Sequence, residues 1–397
     1  MAIVAADTAW VLISSALVLF MLPGLALFYG GMVRRKNVLS TMMHSFVAMG
    51  IIAVEWIIIG YSLAFGTGNW FIGDLEHVFL RGIDINSISG TIPTYAFIAF
   101  QGMFAIITPA LISGAVVGRI KFKSYIAFIT LWSLVVYAPI CHWVWGGGFL
   151  TGEALDFAGG TVVHITSGIS ALTILIFLGK RKGYGTDSIK PHNITLTLLG
   201  TGLLWFGWFG FNAGSALAAD EVAAVAFMAT FVAPAAAGLA WMAVEWLRTG
   251  KPTALGFVTG ILAGLVAITP AAGFVSPMAA IVMGFIAGVI CYGAVLFKGK
   301  LGYDDSLDVF GVHGVGGITG ALLTGVFASV GATGLLLGNP NQLLTQLEGV
   351  VIIILYTIAC TIIIGFVLDK TMGVKINENA ENIGLDRTQH GEAAYNI

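Results

Sequence analysis

The chain has 397 residues, of which 58% are hydrophobic and only 10% are charged. Because soluble proteins carry about a quarter charged residues, this composition excludes a soluble domain and predicts an all-α polytopic membrane protein. The formal net charge of −2 does not indicate nucleic-acid binding, and Cys141, Cys291 and Cys360 have neither disulfide nor metal-site spacing.

A membrane-spanning helix needs about 20 apolar residues, and eleven runs of roughly that length follow one another along the sequence. They cover residues 8–32, 40–65, 95–117, 124–143, 157–179, 192–214, 222–247, 254–271, 277–297, 309–329 and 347–369. The first run is too long for the core of a signal peptide, and no basic residue precedes it. We therefore expect this run to be retained as the first span.

Lysine and arginine residues indicate how the spans are oriented. If the N-terminus lies outside and the spans alternate, all of the 18 lysine and arginine residues except Arg81 fall on the inner side. Cytoplasmic loops collect positive charge. The sequence therefore predicts an eleven-helix membrane domain over 1–370, N-out/C-in. Residues 371–397 would form a polar cytoplasmic tail, either a disordered end or a docked regulatory segment.

Two histidines lie inside apolar runs, His164 in the fifth and His313 in the tenth. Ionisable groups at membrane depth usually face a bundle interior or a cavity, although each histidine alone could equally be a core residue bonded to a neighbouring helix. Ten spans divide into two sets of five, which predicts a 5+5 inverted repeat plus one span, with the substrate path between the halves. At about 1.5 Å per residue, His164 would lie about 12 Å from the outer surface and His313 about 8 Å from the inner one, so the counted depths differ.

The outer mouth of this path is predicted from residues near the fourth, fifth and sixth runs. Asp156 is expected to cap the fifth helix, with attraction of an arriving cation as a second role. Trp145 by itself indicates an interfacial aromatic belt. The sixth run alternates aromatic residues with glycine around Phe211, and Ser215 follows directly at its outer end. That pattern suits a cation site, because aromatic faces attract desolvated cations and a hydroxyl accepts an N–H bond, but aromatic packing against glycine is the alternative.

Four further positions have a less specific pattern. Phe100 and Phe104 lie in the third run, where the residues alone indicate a packed core. Thr269 precedes Pro270, which predicts a helix break at the outer end of the eighth run. We count Phe100 and Thr269 among the candidate pore residues. Glu55, mid-way along the second run, would be either protonated or paired at a subunit contact.

Several long motifs occur in one order along the chain. They are Phe28-Tyr29-Gly30-Gly31-Met32-Val33-Arg34-Arg35-Lys36-Asn37, Asp156-Phe-Ala-Gly-Gly-Thr-Val-Val-His164, Gly207-Trp-Phe-Gly-Phe-Asn-Ala-Gly-Ser215, Asp308-Val-Phe-Gly-Val-His313-Gly, and Gly384-Leu-Asp with His390-Gly-Glu. With these motifs the sequence resembles, nearly end to end, the ammonium transporter (methylammonium permease/Rhesus) superfamily on its bacterial and archaeal branch. Glu55 departs from the mostly apolar residues of that branch.

The resemblance implies eleven spans and a homotrimer with one pore per subunit in the cytoplasmic (inner) membrane. It implies a recruitment site at Phe104, Trp145 and Ser215, supported by Asp156. The family's phenylalanine gate corresponds to Phe104 and Phe211, and its paired pore histidines correspond to His164 and His313. The resemblance also implies a regulatory tail that, in many members, meets a PII-type signal protein.

Together these features predict a transporter of ammonium, with methylammonium as an analogue, rather than an enzyme, and with no cofactor or metal. His164 and His313 have no Cys or carboxylate partners at metal-ligand spacing. Ammonium resembles potassium in size and charge but can lose a proton, so we expect ammonia to cross and the proton to pass separately along the imidazoles. The alternatives are an electroneutral ammonia gas channel and an ammonium sensor that acts through a cytoplasmic partner.

Overall fold

The structure is a computed structural model that describes residues 2–395. In that part of the chain, ten helices are long and apolar enough to cross a membrane, and a shorter apolar helix lies between the seventh and the eighth of these ten. In chain order they are α1 (Ala5–Met32), α2 (Arg35–Phe65), α3 (Thr94–Val116), α4 (Phe122–Trp145), α5 (Gly160–Leu178), α6 (Ile194–Ala216), α7 (Glu221–Thr249), α8 (Ala254–Ile268), α9 (Pro277–Leu301), α10 (Phe310–Phe327) and α11 (Pro340–Thr371). The prediction of an all-α polytopic membrane protein is confirmed.

The predicted runs and the observed helices coincide in order and differ mainly at two ends. Helix α8 has 15 residues and stops at Ile268, because Pro270 cannot continue a helix. Helix α11 starts at Pro340, before the predicted residue 347, since proline is suited to a first helical turn and the polar residues that follow continue the helix. A two-stranded antiparallel ribbon, β1 (Ile88–Ser89) and β2 (Ile92–Pro93), is the only sheet in residues 2–395.

Helices α1 and α6 pack closely in opposite directions. A Cβ on Gly31 would lie 2.4 Å from Thr197 Oγ1, and a Cβ on Gly210 would lie 2.8 Å from the carbonyl oxygen of Ser14. Residue numbers therefore rise along one helix as they fall along the other. Glycine permits this approach because small residues let membrane helices touch backbone to backbone.

Helices α5 and α10 show the same antiparallel relation. A Cβ on Gly168 would lie 2.1 Å from the Gly314 nitrogen, and one on Gly317 would lie 2.8 Å from the Gly160 carbonyl oxygen. The first and fifth helices of each predicted half thus pair antiparallel, as a 5+5 inverted repeat requires. The orientation of the bundle in the membrane stays a prediction; we use inner end for the end with the basic loops and outer end for the opposite one.

The tail is docked on the inner end through its two short helices, α12 (Glu378–Ile383) and α13 (Leu385–His390). The Asp386 carboxylate accepts a 2.9 Å hydrogen bond from the Ser40 backbone N–H, near the start of α2, and the Asn37 side chain accepts one of the same length from Leu385 N–H. The backbone N–H of Ile376 donates to the Arg119 carbonyl at 2.9 Å. Of the predicted 371–397 tail, residues 396–397 lie outside the described part.

Candidate functional site

The two predicted histidines meet in the interior of the bundle. His164 Nδ1 and His313 Nδ1 are 3.2 Å apart, and the side chains are almost completely buried. Each histidine lies within a turn of the glycines at which α5 and α10 cross, Gly168 and Gly314. The sequence count, which placed the two histidines at different depths, was wrong. It followed each helix separately and ignored where α5 and α10 cross.

Both histidines lie in π-helical turns at the start of their helices, Gly160–Ile165 in α5 and Phe310–Gly314 in α10. Such wide turns are rare and frequently occur at functional sites. In an Nδ1–Nδ1 contact one neutral imidazole donates and the other accepts. The buried His164 Nε2 has no hydrogen-bond partner among residues 2–395.

A narrow cavity of about 10 Å³ adjoins the imidazole pair. Its wall contains both histidines, Trp208, Phe211 and Tyr29, and the rest of the wall is aliphatic or phenylalanine. No charged side chain belongs to this wall as described. A volume of this size holds about one water-sized molecule, so any traffic past the histidines is single file.

A wider pocket of about 290 Å³ opens at the outer end, and its wall includes Phe104, Trp145 and Ser215. Aromatic rings connect it to the histidine cavity. The Trp145 ring meets the Phe104 ring edge-on at 5.9 Å, Phe104 meets Phe211 at 4.4 Å, and Phe211 lies 6.0 Å from the His164 ring. The two phenylalanines therefore separate the outer pocket from the histidine cavity.

The polar atoms of the outer pocket are oriented by hydrogen bonds. Ser215 Oγ donates to the Phe211 carbonyl at 2.9 Å, which leaves its oxygen lone pairs free to accept. Trp145 Nε1 donates to the Asp156 carbonyl at 2.8 Å and thereby fixes the plane of the indole ring. Ser215, Trp145 and Phe104 thus bring an acceptor oxygen and two aromatic rings to the wall of this pocket.

Asp156 lies behind this pocket rather than in its wall. Its Oδ1 accepts the N–H groups of Gly159 and Gly160 at 2.9 and 2.6 Å. Its Oδ2 accepts those of Thr161 and Val162 at 2.8 and 3.1 Å, together with the Thr161 hydroxyl. The carboxylate thus satisfies the free N–H groups at the start of α5. It does so from three residues before the N-cap position, which Gly159 occupies, and not as the N-cap residue itself.

Phe100 and Thr269 line neither the outer pocket nor the histidine cavity. The Phe100 ring packs 5.0 Å from that of Phe104. Thr269 Oγ1 accepts a 2.9 Å hydrogen bond from Trp208 Nε1. Each residue therefore lies behind a cavity wall and contacts a residue that forms it. Phe100 contacts Phe104 of the outer pocket, and Thr269 contacts Trp208 of the histidine cavity.

Trp208 belongs to the site and is absent from the residues selected by sequence. Its ring lies 5.4 Å from that of His164 at 26°. The available signal was spacing, since Trp208, Phe211 and Ser215 recur at i, i+3 and i+7 on one face of α6. Gln101, which the sequence analysis did not select, is also in the wall of the outer pocket.

Glu55 lies in neither cavity wall. Its carboxylate accepts a hydrogen bond from the Ser133 hydroxyl of α4 and is buried. Both residues adjoin π-helical segments, Trp56–Gly60 in α2 and Ser133–Tyr137 in α4. Glu55 thus has a hydrogen-bond partner in its own subunit, and protonation or a subunit contact stay predictions.

A family model described as Ammonium Transporter Family matches residues 9–395 of the chain. The chain belongs to this family. The ammonium transporter of Aquifex aeolicus (strain VF5) is 54% identical, over 98% of this chain and 93% of the relative. The protein is therefore a multi-pass membrane protein of an ammonium transporter family, and its family members are transporters rather than enzymes.

Solved structures agree with that assignment. The crystal structure of Saccharomyces cerevisiae Mep2 superimposes with a TM-score of 0.88 at 37% identity, covering 95% of this chain and 88% of that one. A structure described as Sensor Amt Protein gives a TM-score of 0.90 at 29% identity, covering 97% and 98%. The fold of this ammonium transporter family member is thus shared with both.

Proposed function

We propose that the protein moves ammonium across the cytoplasmic membrane by taking up NH4+ at the outer pocket, removing its proton, and passing NH3 through the histidine cavity. The observation that carries this proposal is the uncharged, single-file cavity beside the contact between His164 and His313. The outer pocket precedes it, and a second cavity of about 50 Å³, whose wall includes His313 and Asp308, follows it towards the inner end.

Recruitment of the cation rests on Ser215, Trp145 and Phe104. The Ser215 oxygen accepts one N–H of ammonium, and the two rings attract its charge by about 2 kcal/mol or more once water is removed. Potassium receives the same π attraction but donates no hydrogen bond. The outer pocket therefore concentrates ammonium without a carboxylate in its wall.

Passage as ammonia follows from the character of the narrow cavity. A cation moved into an apolar lumen without a counter-charge costs several kcal/mol even after relaxation. Neutral ammonia avoids that cost, whereas a potassium ion cannot lose its charge. Selection against metal cations is thus a consequence of the cavity wall, and Phe104 with Phe211 restricts the entry of water.

The proton is relayed by the two imidazoles. When one Nε2 takes up a proton, the N–H shared across the Nδ1–Nδ1 contact can shift, and the partner ring can release a proton from its own Nε2. His164 Nε2 is buried without a partner among the described residues, which leaves it free for this step. Net transport is therefore electrogenic.

The test is a reconstituted liposome assay that records current and internal pH together. Ammonium is expected to drive an inward current and potassium is not, and His164→Ala is expected to abolish the ammonium current while protein still inserts as folded oligomer. Ammonium uptake with no current would establish electroneutral gas conduction instead. An unchanged current in His164→Ala would remove the histidines from the mechanism.

Sensing is a second candidate function, favoured by the structural likeness to the Sensor Amt protein and by the docked tail. We propose residues 371–397 as a cytoplasmic regulatory segment, with a PII-type signal protein as its partner. A sensor binds ammonium without moving it. Saturable ammonium binding to a protein that gives neither current nor uptake would support sensing over transport.

We also propose a homotrimer. The outward faces of α1, α7 and α9 carry large exposed apolar side chains such as Leu12, Phe231 and Phe285. A single subunit leaves these faces uncovered, and either lipid or neighbouring subunits can cover them. Native mass spectrometry of the purified protein would give three copies per particle, and a monomer that transports would contradict the proposal.

A further inference from the structure

A groove of about 450 Å³ at the inner end has no part in the transport path. It opens between α5, α11 and the segment that follows α9. Its floor is apolar and includes Leu172, Ile176 and Ile358, and its upper edge is formed by Lys180 and Tyr303. None of these residues belongs to the walls of the outer pocket, the histidine cavity or the inner cavity.

The groove lies on a face suited to lipid. Ile176 is 71% exposed within the groove, and α11, which contributes Ile358 to the groove, also exposes Ile363 and Phe366 at 62% and 54%. Contiguous exposed apolar side chains of this kind mark a surface that is covered by membrane. The lower part of the groove is therefore at the level of the acyl chains.

Two ammonium groups stand at the upper edge of the groove. Lys180 Nζ is 3.7 Å from the position that a Cβ on Gly302 would occupy, and Lys375 Nζ is 3.9 Å from the corresponding position on Gly179. Both glycines belong to the groove wall. Lys375 Nζ also donates to the Lys180 carbonyl at 3.1 Å, which brings the two side chains to the same edge.

Neither ammonium group is neutralised within residues 2–395, where no carboxylate oxygen lies within 4.0 Å of Lys180 Nζ or Lys375 Nζ. The Asp304 carboxylate, which also lines the groove, is paired with Arg119 and Arg181 instead. The edge of the groove therefore carries two uncompensated positive charges above an apolar floor.

We propose that this groove binds an anionic phospholipid of the inner leaflet. The phosphate lies between Lys180 and Lys375, and an acyl chain lies along Leu172, Ile176 and Ile358. Basic pockets between membrane helices on the cytoplasmic side bind such headgroups, and lysine can keep its ammonium group at the interface while its stem packs on apolar surface. The inference rests on the predicted N-out orientation but not on the transport mechanism.

Binding at this groove also involves the tail. Lys375 is held in place by its neighbours, since Lys121 N–H donates to the Val374 carbonyl and Ile376 N–H donates to the Arg119 carbonyl, both at 2.9 Å. A headgroup bound between Lys180 and Lys375 would thus connect α5 to the docked tail. The lipid is expected to stabilise the docked tail.

The experiment measures lipid binding to the full-length protein by native mass spectrometry, with phosphatidylglycerol and phosphatidylcholine of identical acyl chains. Wild-type protein is expected to retain phosphatidylglycerol preferentially. Lys180→Gln with Lys375→Gln is expected to weaken that binding about 25-fold, since each lysine near an anionic surface contributes about fivefold. Ammonium current in phosphatidylcholine liposomes is expected to stay unchanged in this variant.

The matched control is Lys300→Gln with Lys370→Gln, which removes the same charge from the inner ends of α9 and α11 outside the groove. The control variant is expected to bind phosphatidylglycerol as wild type does. If both double variants lost phosphatidylglycerol binding equally, the binding would be unspecific charge attraction and the proposed site would be wrong. Wild-type phosphatidylglycerol affinity in Lys180→Gln with Lys375→Gln would also overturn the site. Equal retention of both lipids by wild type would also overturn it.

Discussion

Replacing Asp156 by asparagine tests whether this carboxylate holds the entry of α5 or attracts the transported cation. The structure places the side chain under the first turn of α5, where it accepts four backbone N–H groups and the Thr161 hydroxyl. The substitution keeps the shape of the side chain and removes one acceptor oxygen together with the charge. We expect the substitution to lower the stability of the protein and to leave the ammonium affinity of the folded fraction unchanged.

The magnitude follows from the bonds at each oxygen. An asparagine oxygen can keep the bonds to Gly159 and Gly160, while its NH2 group would face the N–H groups of Thr161 and Val162. The Thr161 hydroxyl can turn to accept from the new NH2 group, so two hydrogen bonds to a charged group are lost. Each costs about 1.5–3 kcal/mol, which gives about 3–6 kcal/mol for both. For a chain of 397 residues we expect the melting temperature to fall by about 4–7 °C.

The assay is thermal unfolding of the purified protein in detergent, followed by ammonium current in liposomes for the fraction that folds. Asp220→Asn is the matched control, because Asp220 also caps a helix at the outer end but accepts a single N–H, from Ala223. Asparagine is about as good a cap as aspartate there, so no change in melting temperature is expected.

The opposite pattern would refute the reasoning. If Asp156→Asn melted like wild type but needed much more ammonium to reach half-maximal current, the carboxylate would act on the cation through its charge. If both effects appeared, Trp145 would be the link, since its indole donates to the Asp156 carbonyl and moves with that turn.

Four further variants test the remaining interpretations. Ser215→Ala with Trp145→Leu removes the acceptor oxygen and one aromatic ring of the outer pocket, so the current should no longer saturate at low ammonium concentration. A current that saturates as in wild type would contradict the outer site. Phe211→Ala opens the wall between the outer pocket and the histidine cavity, and a potassium current should appear, whereas continued exclusion would show that the phenylalanine does not keep the cavity dry. Ending the chain after Thr371 removes the docked segment, so regulation of ammonium uptake should be lost. Full uptake that is still regulated would show that the tail has no regulatory role. Glu55→Gln keeps an acceptor for the hydroxyl of Ser133, so assembly and current should stay near wild type, and complete loss would mean that an ionisable group is needed there.

Several properties could be read from the sequence because they depend on local composition. The length of each apolar run specified the spans, since a helix must cross about 30 Å of hydrocarbon regardless of its neighbours. His164 and His313 stood out for the same reason, because an ionisable ring inside an apolar run is unusual wherever the helix lies. Asp156 could be identified as an acceptor for the N–H groups at the start of α5 because its bonds are to residues only a few positions away.

Other properties depended on how the helices pack. The crossing of α5 and α10 brings His164 and His313 to one level, which counting along each helix separately placed at different depths. Packing also put Trp208 beside His164 and left Phe100 behind the wall. The sequence alone determined which residues enter the membrane, since burial in hydrocarbon is decided residue by residue. Only the tertiary structure decided which of them share a cavity, because contacts between distant helices depend on the offset, tilt and rotation of each helix.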